Sequence, residues 1–567
     1  MNGPRYPDDR RYPDDRRRYP DQESGPPWSI YDGPRPPGAH RPGGSRSSTP
    51  FPTTPQPVAL RPFQSRELVP VSGPIALPPA RHRRPGTTTA TRTPRAYAAL
   101  FAAVLAAGAI LRFWTLGTRP DWQYDEGVYL NVVSNLLTNG TVNEHITYGA
   151  QFTPDVYEPP YYFLVLARWF AVTGASIYHA RILGVLFSLV TLVLLWRLLI
   201  RLHGQRIAFF AMVPIVFDGW LLFVQRVSYL ENMMLMMVTA GMLLYRQALE
   251  RPDRWRYAVA GVTLGVAVAV KYSGVSVLIT VALCYLILRR DRAGHILLLC
   301  CGLGTLLVSI VIQFIWFDSG GHYWWLDDTW VQIRRVLGFQ ASGGTLTSPI
   351  AALHLLFTEY DVFAPSFLIA LAAFAGVLRR LWTCWRERSW RRVRPNAVLW
   401  SWLLAGLAVF GLSSLKYPQY FALILVPMYA WFWTEATQWR WPWNWDRVRV
   451  LAAVAVVAGI GSFIGRVAVH SDNPFADVQQ YAATAIPANA VVIADEAIGD
   501  LIKQPYCREQ NTTPCAGVAT YAITWDTYLQ TTAGLGDAGY QQMMTGATQL
   551  RSWTGFNGTV TVWRLRK

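Results

Sequence analysis

Charged residues are scarce in this 567-residue sequence: Asp, Glu, Lys and Arg make up 15% of it, whereas 52% of it is apolar. This composition excludes an ordinary soluble enzyme and favours a polytopic membrane protein with soluble appendages. Acidic residues are fewer than basic ones: 35 Asp and Glu against 52 Lys and Arg give a net charge of +17. Because the Arg residues fall in a tail and in short loops between apolar runs, we attribute this charge to membrane topology and expect no nucleic-acid partner.

The first 95 residues lack the regularly spaced apolar side chains that a folded core requires. They contain the near-repeat RYPDD at 5–9 and 11–15 and RYPD at 18–21, followed by sequence rich in Pro, Gly, Ser and Thr. This pattern predicts a disordered cytoplasmic tail near anionic lipid headgroups, with a specific Pro-rich docking motif as the alternative. No cleavable signal peptide is evident, because the first apolar segment begins near Tyr97 and is long enough to span a membrane.

Apolar stretches of about 17 to 25 residues recur from Tyr97 onward, the length that a helix needs to cross the hydrocarbon layer. We therefore predict a polytopic α-helical region over residues 96–469 with about eleven spans. The predicted spans are 97–117, 180–200, 207–225, 229–246, 256–270, 273–288, 295–316, 361–378, 396–413, 418–435 and 449–467.

The distribution of Lys and Arg in the short loops predicts the orientation of these spans, because positive loops stay in the cytoplasm. Every second loop between the predicted spans is rich in Arg, so these loops all lie on one side of the membrane, the side of the N-terminus, which is therefore predicted to be cytoplasmic. They are Arg201 with Arg206, 246–256, 289–292, 379–394 and 440–449. We expect a multi-pass protein of the cell membrane, with residues 118–179, 318–360 and everything after His470 on the outer face.

The last segment, residues 470–567, lacks long apolar runs, and its short alternating stretches predict a small extracytoplasmic α/β domain. Cysteine is also rare, with six in the whole chain. Two of them, Cys507 and Cys515, flank REQNTTP, and in an oxidising outer compartment we predict that they form a disulfide.

Polar residues gather where the predicted spans meet the outer face. Asp125 and Glu126 stand in RPDWQYDEGVYL, directly after the first span, and Glu158 stands in DVYEPPYYFLVLARWF, where the prolines can start a helix lying along the interface. Lys271 interrupts two apolar runs, and Lys416 precedes another. Each lysine taken singly reads as a snorkelling anchor. Together with the carboxylates, they describe a site for a polar reaction on a lipid-anchored anion.

The same residues resemble a known family. The ordered stretches ILRFWTLGTRPDWQYDEGVYL, YEPPYYFLVLARWF, YHARILGVLFSLVTLVLLWRLLIRLHGQRIAFFA, RVSYLENMML, GVTLGVAVAVKYSG and LKYPQYFALILVP are similar to the landmarks of the GT-C membrane glycosyltransferases. The closest branches are the protein O-mannosyltransferases and the lipid A aminoarabinose transferases. The resemblance covers roughly residues 97–435, and the Asp-Glu pair after an Arg-bearing first helix is its most specific part.

This resemblance implies an inverting transfer of a sugar, mannose-like or other, from a polyprenyl-phosphate carrier to an extracytoplasmic protein, lipid or glycan acceptor. Asp125 matches the catalytic carboxylate, which takes the proton of the attacking hydroxyl, and Glu158 matches the second acidic position. The leaving phosphate needs cations, a role that suits Lys271 and Lys416. No metal or other cofactor is expected, although a divalent cation stays open. The other substrate-binding residues that we predict are Glu126, Tyr417, Tyr420, Arg226 and Glu231.

Some positions depart from the aminoarabinose transferases. Where those enzymes carry basic residues, this chain has Val128, Pro159 and Gln419, so the cation partners of the phosphate must differ. Arg226, Arg334 and Arg335 are the candidates to replace them. The stretches RVSYLEN and KYSG lean toward the mannosyltransferases by analogy.

Some of these charged residues, and the chain as a whole, also have a second interpretation. Glu231 lies beside Arg226 in sequence, and a structural ion pair explains it as well as a role in the reaction. His322, Asp327 and Asp328 suggest a metal, but an aromatic interfacial helix explains that stretch better. A transporter or lipid-linked sugar flippase is the alternative for the whole chain. Transporters bury ionisable groups near the midplane, as Asp218 in VFDGW would be.

Overall fold

The fold is described from a computed structural model of the chain. It describes residues 94–119, 122–140, 142, 144–146, 148, 151–153, 159–289, 291–317, 364–387, 394–412, 421–438, 445–469, 473–509, 512–526, 538–555 and 558–566. All of these belong to one compact unit, Thr87–Lys567. The predicted tail, residues 1–95, falls almost entirely outside the described residues, as do Glu158, Lys416, Tyr417, Tyr420, Arg334, Arg335, His322, Asp327 and Asp328.

Helices dominate the unit up to residue 469. In chain order they are α1 (Pro94–Phe113), α2 (Tyr124–Asn139), α3 (Tyr161–Thr173), α4 (Ile177–His203), α5 (Gln205–Val216), α6 (Gly219–Val224), α7 (Leu230–Glu250), α8 (Arg254–Val270), α9 (Ser276–Leu288), α10 (Arg292–Phe317), α11 (Ala364–Arg386), α12 (Ala397–Leu412), α13 (Ala422–Gln438) and α14 (Trp445–Val469). A small antiparallel hairpin of β1 (Glu144–Ile146) and β2 (Gln151–Thr153) lies between α2 and α3.

Helical segments lie at each of the predicted spans. Among the described residues, five helical segments are both long and apolar enough to cross a membrane: 95–113, 177–203, 292–313, 365–386 and 449–468. Large apolar side chains such as Ile110, Ile315 and Val457 are exposed on them. Such surfaces suit contact with lipid, because a soluble protein rarely exposes contiguous apolar area of this kind. A polytopic membrane protein is therefore supported, while the number of eleven spans and the orientation of the termini stay predictions.

Local sequence explains where the helices begin and end. The Ser176 side chain accepts a hydrogen bond from the backbone nitrogen of His179 at 3.2 Å and so caps the start of α4. Asp218 caps α6 in the same way, accepting from Leu221 at 2.9 Å, so the predicted span 207–225 is broken into α5 and α6. Gly265 lets α8 approach α10, because a Cβ there would stand 2.6 Å from the carbonyl oxygen of Gly302.

Residues 473–566, which we name the C-terminal sheet region, contain a five-stranded mixed sheet. The elements are α15 (Pro474–Ala485), β3 (Val492–Ala494), α16 (Glu496–Gly499), β4 (Tyr506–Arg508), β5 (Tyr521–Trp525), α17 (Ala538–Met544), β6 (Thr548–Gly555) and β7 (Gly558–Arg564). The strand order is β4-β3-β5-β7-β6, with β4, β3 and β5 parallel and β5, β7 and β6 antiparallel. The predicted disulfide between Cys507 and Cys515 is confirmed. The domain boundaries at 95/96 and 469/470 stay predictions.

Candidate active site

The first turn of α2 carries the Asp-Glu pair and connects it to the helical bundle. Glu126 is fully buried, and Arg181 of α4 donates to both of its carboxylate oxygens, from Nε at 2.8 Å and from Nη2 at 2.7 Å. The backbone nitrogens of Gln123 and Ser228 also donate to this carboxylate, at 3.1 and 3.0 Å. Arg181 itself donates to the carbonyl oxygen of Leu116. One ion pair therefore joins the end of α1, the start of α2, α4 and the turn before α7.

This arrangement decides how the two neighbouring carboxylates differ. Asp125 is only half-buried, whereas both oxygens of Glu126 are already engaged by four donors. A carboxylate accepts about four hydrogen bonds, and these donors already supply four to Glu126. Of the two, Asp125 has the exposure that a general base requires. The predicted substrate contact of Glu126 stays a prediction.

A second buried ion pair lies at the start of α7. The Nζ atom of Lys271 stands 2.8 Å from Oε1 of Glu231, and both side chains are almost completely buried. Lys271 occupies the break between α8 and a short 3-10 turn (Tyr272–Val275), with extended backbone at φ −154°. The polar break predicted from the sequence is thus present, and the burial of Lys271 argues against a snorkelling anchor. The structural ion pair that was one interpretation of Glu231 is present, with Lys271 rather than its sequence neighbour Arg226 as the partner.

The hydroxyl of Tyr229 links the two pairs. Tyr229 is the residue before α7, and its side chain is 7% exposed. Its hydroxyl donates to the side chain of Gln123 at 3.4 Å. Tyr229 stands two residues before Glu231, and Gln123 stands directly before the helix whose first turn carries Asp125 and Glu126, so this hydrogen bond brings the Asp-Glu pair and the Lys271–Glu231 pair to the same end of the bundle.

Buried arginines surround this end of the bundle. Arg226 is fully buried, and its Nη2 atom donates to the carbonyl oxygens of Trp114 and Arg119. Its guanidinium also lies 5.1 Å from the centre of the Phe463 ring. Within the described ranges no carboxylate pairs with Arg226, and its Nε and Nη1 atoms have no hydrogen-bond partner. An unpaired buried cation is costly, so this position is suited to an anion.

Arg112 lies deeper in α1 and is satisfied by polar but uncharged groups. It donates to the side chain of Gln225 at 2.6 and 3.1 Å and to the carbonyl oxygens of Gly108 and Val216. The described residues contain no group of three or more His, Cys, Asp or Glu side chains that could hold a metal ion. The expectation of a metal-free site is not tested by this observation.

Sequence reasoning missed several contributors to the site. Arg181 stood inside a stretch taken only as a landmark, although an arginine within an apolar run is itself a signal of function or pairing. Tyr229 and Gln123 carried no signal, because their contacts depend on elements far apart in sequence. Tyr162 of α3 was missed as well; its hydroxyl lies 2.6 Å from the Ser228 hydroxyl, beside the backbone group that holds Glu126.

Part of the helical region is similar to a known protein family. Residues 157–316 match the family described as dolichyl-phosphate-mannose-protein mannosyltransferase. This segment contains Arg181, Arg226, Glu231 and Lys271 but not Asp125. No curated protein matches the chain in sequence.

Solved structures of similar fold extend the likeness to most of the chain. The crystal structure of ArnT from Cupriavidus metallidurans bound to undecaprenyl phosphate is similar with a TM-score of 0.57 and 15% identity, over 83% of this chain and 98% of that one. The apo oligosaccharyltransferase of Archaeoglobus fulgidus is similar with a TM-score of 0.50 and 12% identity, over 81% and 74% of the two chains. The predicted resemblance to the GT-C superfamily is confirmed, and the chain has its fold.

Proposed function

We propose that this chain is an inverting membrane glycosyltransferase that moves a sugar from a polyprenyl-phosphate carrier to an extracytoplasmic acceptor. The observation that carries the proposal is that Asp125 and the Lys271–Glu231 pair lie at one end of a GT-C bundle, where the hydrogen bond between Tyr229 and Gln123 joins their two segments. A base for the acceptor and a cation for the leaving group are the two things that this reaction requires.

Asp125 is the proposed base. An incoming hydroxyl attacks the anomeric carbon, the bond from that carbon to the phosphate oxygen breaks, and Asp125 takes the hydroxyl proton. The leaving polyprenyl phosphate already carries negative charge, so no proton donor is needed on its side. The half-buried position of Asp125 supports this role, because an acceptor hydroxyl can reach the carboxylate.

Lys271 is the proposed phosphate partner. In the structure Glu231 balances its charge, so a donor phosphate would compete with that carboxylate for the ammonium group. Lysine suits the task because it is a compact point charge that can follow a phosphate as its charge grows. Arg226 supports the same role, since it is buried without a carboxylate partner among the residues that the structure describes. Glu158, Lys416, Tyr417 and Tyr420 stay proposed from the sequence alone.

The proposed donor is a sugar linked to a polyprenyl phosphate. The match of 157–316 to a dolichyl-phosphate-mannose-protein mannosyltransferase family, and a similar fold bound to undecaprenyl phosphate, support a polyprenyl-phosphate donor. A mannose-like sugar is our first choice. The acceptor is a protein, lipid or glycan at the outer face, in keeping with the predicted orientation.

The orientation can be tested by labelling in sealed cells that carry a Cys-depleted chain. A cysteine placed at Thr138, exposed at the end of α2, or at Thr545 should react with a reagent that cannot cross the membrane. A cysteine at Pro252, in the predicted cytoplasmic loop between α7 and α8, should stay unlabelled. Labelling of Pro252→Cys with protection of the other two would invert the proposed topology.

The reaction is tested with purified protein and a panel of radiolabelled polyprenyl-phosphate sugars. We expect release or transfer of one sugar by the wild-type chain and its loss in Asp125→Asn, which removes the base with little change of shape. The matched control is Asn139→Asp, which places a carboxylate on the exposed end of the same helix and should leave turnover unchanged. Wild-type turnover in Asp125→Asn would refute the assignment of the base.

A flippase for lipid-linked sugars is the second candidate. The break between α5 and α6 at Phe217 and Asp218, with Asp218 buried, is the observation that favours it, since transporters build sites at discontinuous helices. A flippase would move a labelled lipid across a reconstituted vesicle without cleaving the sugar, and it would not depend on Asp125.

A further inference from the structure

The helix that carries Asp125 is fixed on a second side by the C-terminal sheet region. Trp122, two residues before α2, and Leu130 on α2 pack against the apolar core formed by α15, α16 and the sheet. Ile177, the first residue of α4, is itself a buried member of that core. The apolar core of the sheet region is therefore completed by residues of the segment that holds the proposed base.

Polar contacts fix the same interface. The side-chain amide of Asn131 on α2 donates to Oδ1 of Asp500, and the Tyr506 hydroxyl donates to the same oxygen at 2.6 Å. Tyr506 belongs to β4, and its carbonyl oxygen accepts from the backbone nitrogen of Tyr148 at 3.0 Å, so the first loop is joined to the sheet a second time. A carboxylate only accepts hydrogen bonds, so Asp500 can hold both donors at once without competition between them.

The side chains of Asp125, Glu126 and Asn131 leave α2 in three different directions around its axis. Residues of an α-helix advance by about 100° each, so Asn131 projects about 140° away from Glu126 around the axis. Glu126 faces the bundle, where Arg181 holds it, and Asn131 faces the sheet region. By the same count Asp125 projects about 100° from Glu126 and about 120° from Asn131. The base therefore leaves the helix on the side that neither anchor occupies.

We propose that the C-terminal sheet region is a positioning element for the reaction, in which Asp500, held by Tyr506, fixes α2 through Asn131 and so sets the direction of Asp125. This inference rests on the proposed function. Asn131 and Asp500 are positioning residues that act through α2; along the helix axis Asn131 is about 9 Å from Asp125.

An exchange of the two polar partners tests the proposal in the full-length protein. Asn131→Asp sets two carboxylates against each other, so we expect turnover to fall about tenfold while affinity for the lipid-linked donor changes less than twofold. The double variant Asn131→Asp with Asp500→Asn restores a donor opposite an acceptor, and it should restore turnover. Hydrogen exchange of the α2 amides should rise in the single variant and return in the double variant.

The control separates positioning from a general loss of stability. Trp553 lies on β6, at the opposite edge of the sheet from β4, and its ring packs against Tyr481 of α15. Trp553→Ala should destabilise the sheet region without raising exchange in α2 or lowering turnover. The proposal is overturned if Trp553→Ala lowers turnover as much as Asn131→Asp, if Asn131→Asp leaves turnover unchanged, or if exchange in α2 is unaffected. The exchange measurement needs no activity, so it still decides the positioning role if the wild-type chain transfers no sugar.

Discussion

Removing one partner of the buried Arg181–Glu126 pair should destabilise the chain far more than removing one partner of an exposed ion pair. The chain offers a matched comparison, because Arg201 and Glu250 also approach to 2.7 Å. The side chains of the first pair are 0% exposed, whereas those of the second are 42% and 29% exposed. The closest distances are equal, so a difference in free energy reports burial together with the additional donors that hold Glu126.

Replacing the arginine of each pair by methionine tests this difference in the free energy of unfolding. Arg181→Met leaves the Glu126 carboxylate buried without its countercharge, which should lower the free energy of unfolding by about 3 to 5 kcal/mol. Arg201→Met leaves Glu250 in water and beside Arg246, so its cost should stay below about 1 kcal/mol. Adding Glu126→Gln to Arg181→Met removes the uncompensated charge, and the double variant should cost less than the sum of the two single changes.

The assay is unfolding of the purified chain in mixed micelles, with the four variants measured under one condition. The predicted order of destabilisation places Arg181→Met far above Arg201→Met. The reasoning is refuted if the two changes cost the same, or if the Arg181→Met and Glu126→Gln effects are strictly additive. Transfer activity should fall with Arg181→Met as well, because the same pair holds the first turn of α2 beside Asp125.

Two further predictions concern the buried side chains of Glu509 and Lys271. Burial raises the pKa of the Glu509 carboxyl, in the C-terminal sheet region, to about 7 from its ordinary 4.5, so the folded state holds a proton that the unfolded chain releases. Stability should therefore fall by about 3 kcal/mol as the pH rises through that interval. Glu509→Gln should remove this slope, as measured by unfolding at pH 5 and pH 8; a constant difference between the two proteins would contradict the assignment. Lys271→Met should weaken donor binding and reduce turnover about a hundredfold. The variant that also carries Glu231→Gln leaves no buried charge unpaired, so recovery of full activity in it would show that Lys271 serves only to balance Glu231.

The sequence predicts charged residues of the candidate site but not the partners with which they pair. Asp125 and Lys271 could be proposed as site residues because a carboxylate or an ammonium group at the end of an apolar run is unusual and therefore informative. The partner of each charge could not be found in this way. Glu231 was expected beside Arg226, five residues earlier, but it pairs with Lys271, which lies 40 residues further on. Pairing of buried charges is decided by which helix ends meet, and that is a property of packing.

The sequence by itself determined the class of the protein. Repeated apolar runs of spanning length, interrupted by arginine-rich loops, require helices in a membrane, since only helices or closed barrels satisfy backbone groups in lipid. Cysteine spacing was enough to predict the Cys507–Cys515 disulfide. These features depend on local sequence and solvent, which is why they can be read without coordinates.

Tertiary structure alone decided how the surroundings of the two carboxylates of the Asp-Glu pair differ. Their sequence positions are adjacent and their chemistry is almost the same. The approach of α4 and of the turn before α7 buries Glu126 against Arg181 and Ser228 and leaves Asp125 half-buried. Tertiary structure likewise brought Asp500 to Asn131, across 369 residues of chain. A one-residue step turns a side chain by about 100° around a helix, so the elements that face each side of the helix, and not the residue type, set the burial and the partners of each carboxylate.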